Sequence, residues 1–246
     1  WLPENSIIKV IGVGGGGCNA VNYMFNKRIQ GCIFIVCNTD AQSLKKSPVP
    51  IRIQLGTGLG AGCNPTEGRN AALNSQQEIE EKVFSTKTDM LFITAGMGGG
   101  TGTGAAPVIA AMAKNKGILT VGVVTLPFKN EGNESLAKAI DGIYELQKNV
   151  DSLIIINNEK IYTHYGGLLI HEAFPKTDEV LSTAVQGMPS DSMNCCVPPV
   201  EMSCTPSACR SLIISSRPSL WKTETNADLI LFVDMIILYF VVCFLK

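Results

Sequence analysis

The sequence predicts an α/β fold: a Rossmann-like parallel sheet with helices on both faces. Three observations carry that expectation. Short β-rich runs alternate with helical periodicity between residues 5 and 187. The strand-like runs are near-continuously apolar, as in strands buried on both faces. Two of these runs end in glycine clusters, Gly14 to Gly17 and Gly96 to Gly104. There, freed of Cβ atoms, backbone N–H groups can converge on an anion.

The elements follow in order. "IIKVIGVG" (7–14) reads as a buried strand running into the first glycine loop. In residues 19–29, Val21, Met24, Phe25 and Ile29 recur at near-helical spacing. "CIFIVCNTD" (32–40) and "IRIQLG" (51–56) read as the second and third strands. Residues 67–84 read as one helix with Glu78, Glu80, Glu81 and Lys82 on its wet side. "DMLFITAGMG" (89–98) is a fourth strand feeding the second glycine loop. A helix is expected from about Ala105, with Pro107 in its first turn, where a missing N–H costs little. "ILTVGVVTLPF" (118–128) is a fifth strand. The next helix aligns Leu136, Ala139, Ile140, Ile143, Leu146 and Val150 on one face. "DSLIIINNEKI" (151–161) is a sixth strand, and a last helix covers 168–187.

Composition narrows the function classes. Twenty Lys and Arg stand against 21 Asp and Glu in 246 residues, so no basic field points to nucleic acid. The start, "WLPENSIIKV", lacks a charged n-region and a long apolar run, so no signal peptide is expected. Cys18, Cys32, Cys37 and Cys63 sit singly, which suits reduced thiols in a cytosolic protein. The composition then breaks: all 24 glycines lie at or before Gly187, and 188–246 holds five of the nine cysteines. We therefore read 5–187 as one domain and 188–246 as an atypical tail.

The glycine loops point to a phosphate ligand. A helix beginning just after each loop adds its free N–H groups and the positive end of its dipole, and Thr101 and Thr103 can add hydroxyl donors. A tight turn competes with this reading for Gly14–Gly17 but poorly for "GGGTGTG" (98–104). Gly12, Gly14 and Gly17 also satisfy G-x-G-x-x-G, with Asp40 at a later strand end. That makes an NAD-type dinucleotide-binding oxidoreductase the rival, although such a site needs no second phosphate cradle. The chain contains no Gly-Lys dipeptide, which excludes a Walker P-loop.

"GGGTGTGAAP" (98–107) resembles the signature loop of the tubulin/FtsZ GTPases. "VIGVGGGGCNAVN" (10–22), "NTDAQSL" (38–44), "GLGAGCNPTEGRNAA" (58–72), "TLPFKNEG" (125–132) and "AFPKTDEVLSTAVQG" (173–187) resemble the other nucleotide loops of the bacterial FtsZ branch, in family order. The resemblance implies a GTP-binding domain that takes GTP or GDP, with Mg2+ expected. It implies that Gly14, Gly15, Gly16, Gly17, Cys18 and Asn19 wrap the α- and β-phosphates. Gly98, Gly99, Gly100, Thr101, Gly102, Thr103 and Gly104 hold β and γ. Ala61 and Gly62 offer N–H groups to the γ-phosphate, Glu131 accepts from the ribose, and Asn158 and Asp178 face guanine, with Asp40 also in the nucleotide-binding set. A carboxylate can accept from guanine's ring N–H and amine, an edge on which adenine has no such donors. It also implies head-to-tail assembly with itself or intact FtsZ subunits, division-ring partners, and a cytoplasmic place at the septum.

Two departures bear on activity. Ser135 stands near where the family usually has an arginine over the nucleotide, and loss of that planar cation implies weaker binding. The family also continues into an acidic N-x-D-x-x-D loop and a second domain, and the loop positions the attacking water at the next subunit's nucleotide. Here "AVQGM" runs into an unrelated stretch; Asn226 and Asp228 give N-x-D, but Leu231 occupies the next required position and Asp234 follows late. We expect neither that loop nor the second domain in this chain, and assign no catalytic residue. A filament-capping fragment is thus a further alternative. The C-C-x7-C-x4-C spacing at 195–209, with no histidine nearby, is a poor zinc site. His164 and His171 read as ordinary surface or packing residues. The apolar run 229–245, interrupted by Asp234, leaves two readings open: a membrane tail anchor, or the product of a shifted reading frame.

Overall fold

The computed structural model describes residues 8–159 and 170–186. Six strands form one parallel sheet: β1 (Ile8–Val13), β2 (Ile33–Asn38), β3 (Ile51–Gln54), β4 (Met90–Gly96), β5 (Leu119–Leu126) and β6 (Ser152–Asn157). Their spatial order is β3-β2-β1-β4-β5-β6. Ile11 registers with Ile35 on one side and Ile93 on the other. The chain thus winds outward in both directions from β1 and β4, and their carboxyl ends flank the crevice where such sheets bind ligands.

The helices are α1 (Gly14–Asn26), α2 (Ala41–Lys46), α3 (Pro65–Asn74), α4 (Gln76–Val83), α5 (Thr101–Asn115), α6 (Asn133–Gln147) and α7 (Ile170–Gln186), with a 3-10 turn at Lys129–Glu131. On one face of the sheet Ile11, Ile35, Ile53 and Ile93 join Ala72, Ile79, Ile109 and Leu146 from α3 to α6 in one core. Side chains of opposite parity, including Val10, Phe92, Val121 and Val123, are buried on the face that α1 and α7 cover. Burial on both faces explains why the strands read as unbroken apolar runs.

Three local expectations are corrected, and one short helix, α2, has no counterpart in the sequence reading. The helix expected near Ala105 begins at Thr101, because Gly100 already has helical dihedrals and the Gly104 N–H bonds the Gly100 carbonyl at 3.0 Å. Pro107 consequently lies inside α5. The single helix expected over 67–84 breaks at Ser75, whose hydroxyl accepts from the Gly56 N–H at 3.0 Å. The six-residue α2 carries a single buried apolar side chain, Leu44, too little for periodicity to reveal. On α6, Ala139, Gly142, Ile143 and Leu146 are buried, whereas Leu136 and Ile140 face outward with Tyr144. Gly142 replaces them on the inner face because α5 packs so closely there that a Cβ would strike Thr103.

The tail at 188–246, with its cysteines, its apolar run and Asn226, Asp228 and Asp234, lies outside the described residues, as do His164 and the side chain of His171. Among the described residues no helix is long and apolar enough to cross a membrane.

Candidate nucleotide-binding site

The N-termini of α1 and α5 meet beside the carboxyl ends of β1 and β4. Gly14 opens α1 at φ +72°, and a Cβ there would lie 2.8 Å from the Gly102 nitrogen. Neither α1 nor α5 has a side-chain cap or an acidic residue in its first turn. The neighbouring α2 and α3 are capped conventionally, by Asp40 and Asn64. Two uncapped helix ends therefore direct their first-turn N–H groups and dipoles toward one crevice, an arrangement suited to an anion.

The glycines divide into two kinds. Gly17 packs so closely on the Thr94 carbonyl, Gly102 on Gly96 and Gly104 on Pro65 that a Cβ would collide with backbone. Their bareness serves the fold. Gly15 and Gly99 are exposed, have no positive φ, and would place a Cβ in open space. Nothing in the surrounding protein requires glycine at these two positions. Close approach of a ligand to the backbone would.

Each remaining candidate has a definite place. Gly16 is exposed and borders Gly96, and Asn19 is exposed on α1. Cys18 is buried, its thiol directed at the Gly12 and Cys37 carbonyls and pushed up to about 12 by burial, so only its backbone can serve a ligand. Gly98 turns at φ +105° and donates its N–H to Thr103 Oγ1 at 2.9 Å. Thr103 is buried, with its hydroxyl oxygen accepting that bond from the loop. Thr101 is half-buried, its hydroxyl 2.6 Å from that of Thr39. Thr39 escaped the sequence reading; its signal was its position at the end of β2. Gly100 abuts Ala61 and Asn64, which brings the Ala61–Gly62 turn against the second glycine loop.

Asp40 has a local role: its carboxylate accepts from the Gln42 N–H at 2.9 Å through one oxygen and caps α2, and that bond holds it below its ordinary pKa.

Glu131, Asn158 and Asp178 stand on separate elements. Glu131 follows β5, is exposed, and accepts from the Phe128 N–H through one oxygen at 2.7 Å, leaving its second oxygen outward. Asn158 follows β6 with 4% exposure, and its Oδ1 has no partner among the described residues. Asp178 lies on α7, which packs against α1 and β5. Neither element carries a charged residue, and burial pushes the Asp178 carboxyl up to about 7. The nearest charges on its own helix, Lys176 and Glu179, pair with each other at 2.8 Å. A buried amide oxygen with no partner among the described residues, and a half-buried carboxyl, are costly in a fold and useful to a polar ligand.

Among the described residues no cluster of three His, Cys, Asp or Glu side chains is arranged to hold a metal.

The profile of the Tubulin/FtsZ family, GTPase domain, matches residues 7–166. Cell division protein FtsZ of Porphyromonas gingivalis is 49% identical over 186 residues, covering 74% of this chain and 41% of the relative. The FtsZ of Pseudomonas putida is 53% identical over 192 residues, covering 76% and 48%. The chain spans less than half the length of these two curated relatives. An FtsZ dimer from M. jannaschii matches with TM-score 0.71 and 42% identity, over 74% of this chain and 54% of that one. Sheet order, glycine loops and these identities agree: the chain belongs to the Tubulin/FtsZ family and carries its GTPase domain.

Proposed function

We propose that this chain binds GTP and GDP as the nucleotide-binding part of an FtsZ-type GTPase of the bacterial division ring, in the cytoplasm at the septum. The observation that carries the reading is the meeting of two uncapped helix N-termini, α1 and α5, around exposed glycines with no structural need to be glycine. The α- and β-phosphates lie against Gly14 to Asn19. The β- and γ-phosphates lie against Gly98 to Thr101, and the Ala61 and Gly62 N–H groups meet the γ-phosphate. Glu131 accepts from the ribose through its free oxygen. Asn158 and ionised Asp178 read the guanine edge.

Hydrolysis transfers the γ-phosphoryl group to water, and the developing charge falls on oxygens that these backbone amides surround. Mg2+, when bound, neutralises phosphate charge; with no acidic cage among the described residues, it would be held by the phosphates, waters and the Thr39–Thr101 hydroxyl pair. A neighbouring subunit supplies the group that positions the attacking water, because none of the matched residues forms an acidic loop. Self-association is supported by a relative solved as an FtsZ dimer. The purified chain is expected to bind GTP and turn it over slowly. Adding an intact FtsZ that supplies the acidic loop should raise phosphate release above the sum of the two alone. Rapid turnover by the homogeneous chain would overturn this division of labour.

A further inference from the structure

The loop bearing Ala61 and Gly62 is held on two sides. On one, Gly100 abuts it: a Cβ there would lie 2.8 Å from Ala61 Cβ and 2.9 Å from the Asn64 nitrogen. On the other, Lys138 of α6 donates to the Cys63 carbonyl at 3.1 Å, a link across 75 residues of sequence. The same ammonium pairs with Glu134 one turn earlier, at 2.6 Å. The ring closes through Gly98, where a Cβ would lie 2.9 Å from the Ser135 carbonyl oxygen of α6. Cys63, whose carbonyl receives Lys138, has φ +56°, a left-handed conformation that a residue with a Cβ resists.

We propose that Lys138 is a positioning residue for the terminal phosphate: it tethers the 61–63 turn to α6 and so holds the Ala61 and Gly62 N–H groups against the Gly98–Gly100 turn. The proposal rests on the nucleotide site described above. Because the 61–63 turn meets only the γ-phosphate, the tether distinguishes a nucleoside triphosphate from a diphosphate. A general contribution to folding would not.

The test is a binding titration of the full chain with a non-hydrolysable GTP analogue and with GDP, for wild type, Lys138→Ala, Lys138→Met and Lys138→Arg. Loss of the tether should weaken triphosphate binding by about three- to tenfold, the range of a partly exposed charged hydrogen bond, and GDP binding by less than about twofold. Lys138→Met keeps the aliphatic stem and should behave as Lys138→Ala, whereas Lys138→Arg should restore the triphosphate preference. Glu134→Gln leaves the Cys63 bond in place and should keep the wild-type ratio. Cys63 is the exposed thiol among the described cysteines, so peptide-resolved alkylation provides a readout without nucleotide. Its labelling should accelerate in Lys138→Ala and Lys138→Met. Equal losses for both nucleotides, or unchanged labelling of Cys63, would overturn the tether. A wild-type chain that binds no guanine nucleotide would overturn the underlying site instead, and the labelling would still decide the tether.

Discussion

The two ends of the proposed site are made from different materials. At the phosphate end the chain uses backbone: uncapped α1 and α5, and glycines bare enough for a ligand to reach the N–H groups. At the base end it uses side chains: Asn158, whose buried Oδ1 has no partner among the described residues, and the half-buried Asp178 carboxyl. Phosphate is common to all nucleotides, so a backbone cradle gives affinity without choosing a base. Discrimination needs a donor or acceptor matched to the base edge, and an ionised carboxylate, which can only accept, matches guanine's two donors.

Substitution at the phosphate end should separate glycines that serve the fold from those that serve the ligand. Gly104→Ala drives a Cβ into the Pro65 carbonyl and should cost about 2–3 kcal/mol of stability, measured by denaturant unfolding. Gly99→Ala meets nothing and should leave that midpoint nearly unchanged. At the base end, Asp178→Asn should weaken GTP by about 2 kcal/mol while leaving ATP where it was, measured by competitive titration. A parallel loss for ATP would make Asp178 a packing residue.

The raised Asp178 pKa adds a smaller, pH-dependent effect. Its folded value, about 7, lies above the ordinary carboxylate value, so the fold favours the protonated acid. The associated stability is fully present at acid pH below that ordinary value and is lost as pH rises through about 7. Guanine requires the ionised form, so binding should run the opposite way. GTP affinity should fall by about five- to tenfold between pH 7.5 and 6, and Asp178→Asn should flatten the profile. The smallest expected effect belongs to Gly99→Ala on binding, a loss of about threefold for GTP, GDP and ATP alike, since a Cβ there crowds a phosphate and no base.

Much of the phosphate end was legible because it is written in backbone terms. Glycine runs after apolar strands mark places where the chain surrenders side chains, and few uses other than a ligand explain Gly15 and Gly99. The finer division was not legible. That Gly104 is needed against Pro65 depends on how α3 and α5 cross, and that Thr103 turns inward depends on Gly98 bonding its hydroxyl. Asp40 shows the opposite failure, since its spacing suggested a dinucleotide while its carboxylate caps a helix too short for periodicity to announce. Without the resemblance Asp178 reads as a solvated helix residue, because its partial burial on a helix packed against α1 and β5 is a tertiary fact. Leu136 and Ile140 fit an inward stripe by spacing, yet Gly142 holds the inner face.

The central claim is that a backbone cradle supplies affinity and Asp178 supplies the choice of base. Competitive titration of the purified chain with GTP, ATP and NAD at pH 7.5 tests it most directly. The account predicts that GTP binds at least about tenfold more tightly than ATP and that NAD does not compete, with the GTP preference lost in Asp178→Asn. Equal affinity for GTP and ATP, or displacement of GTP by NAD, would contradict it.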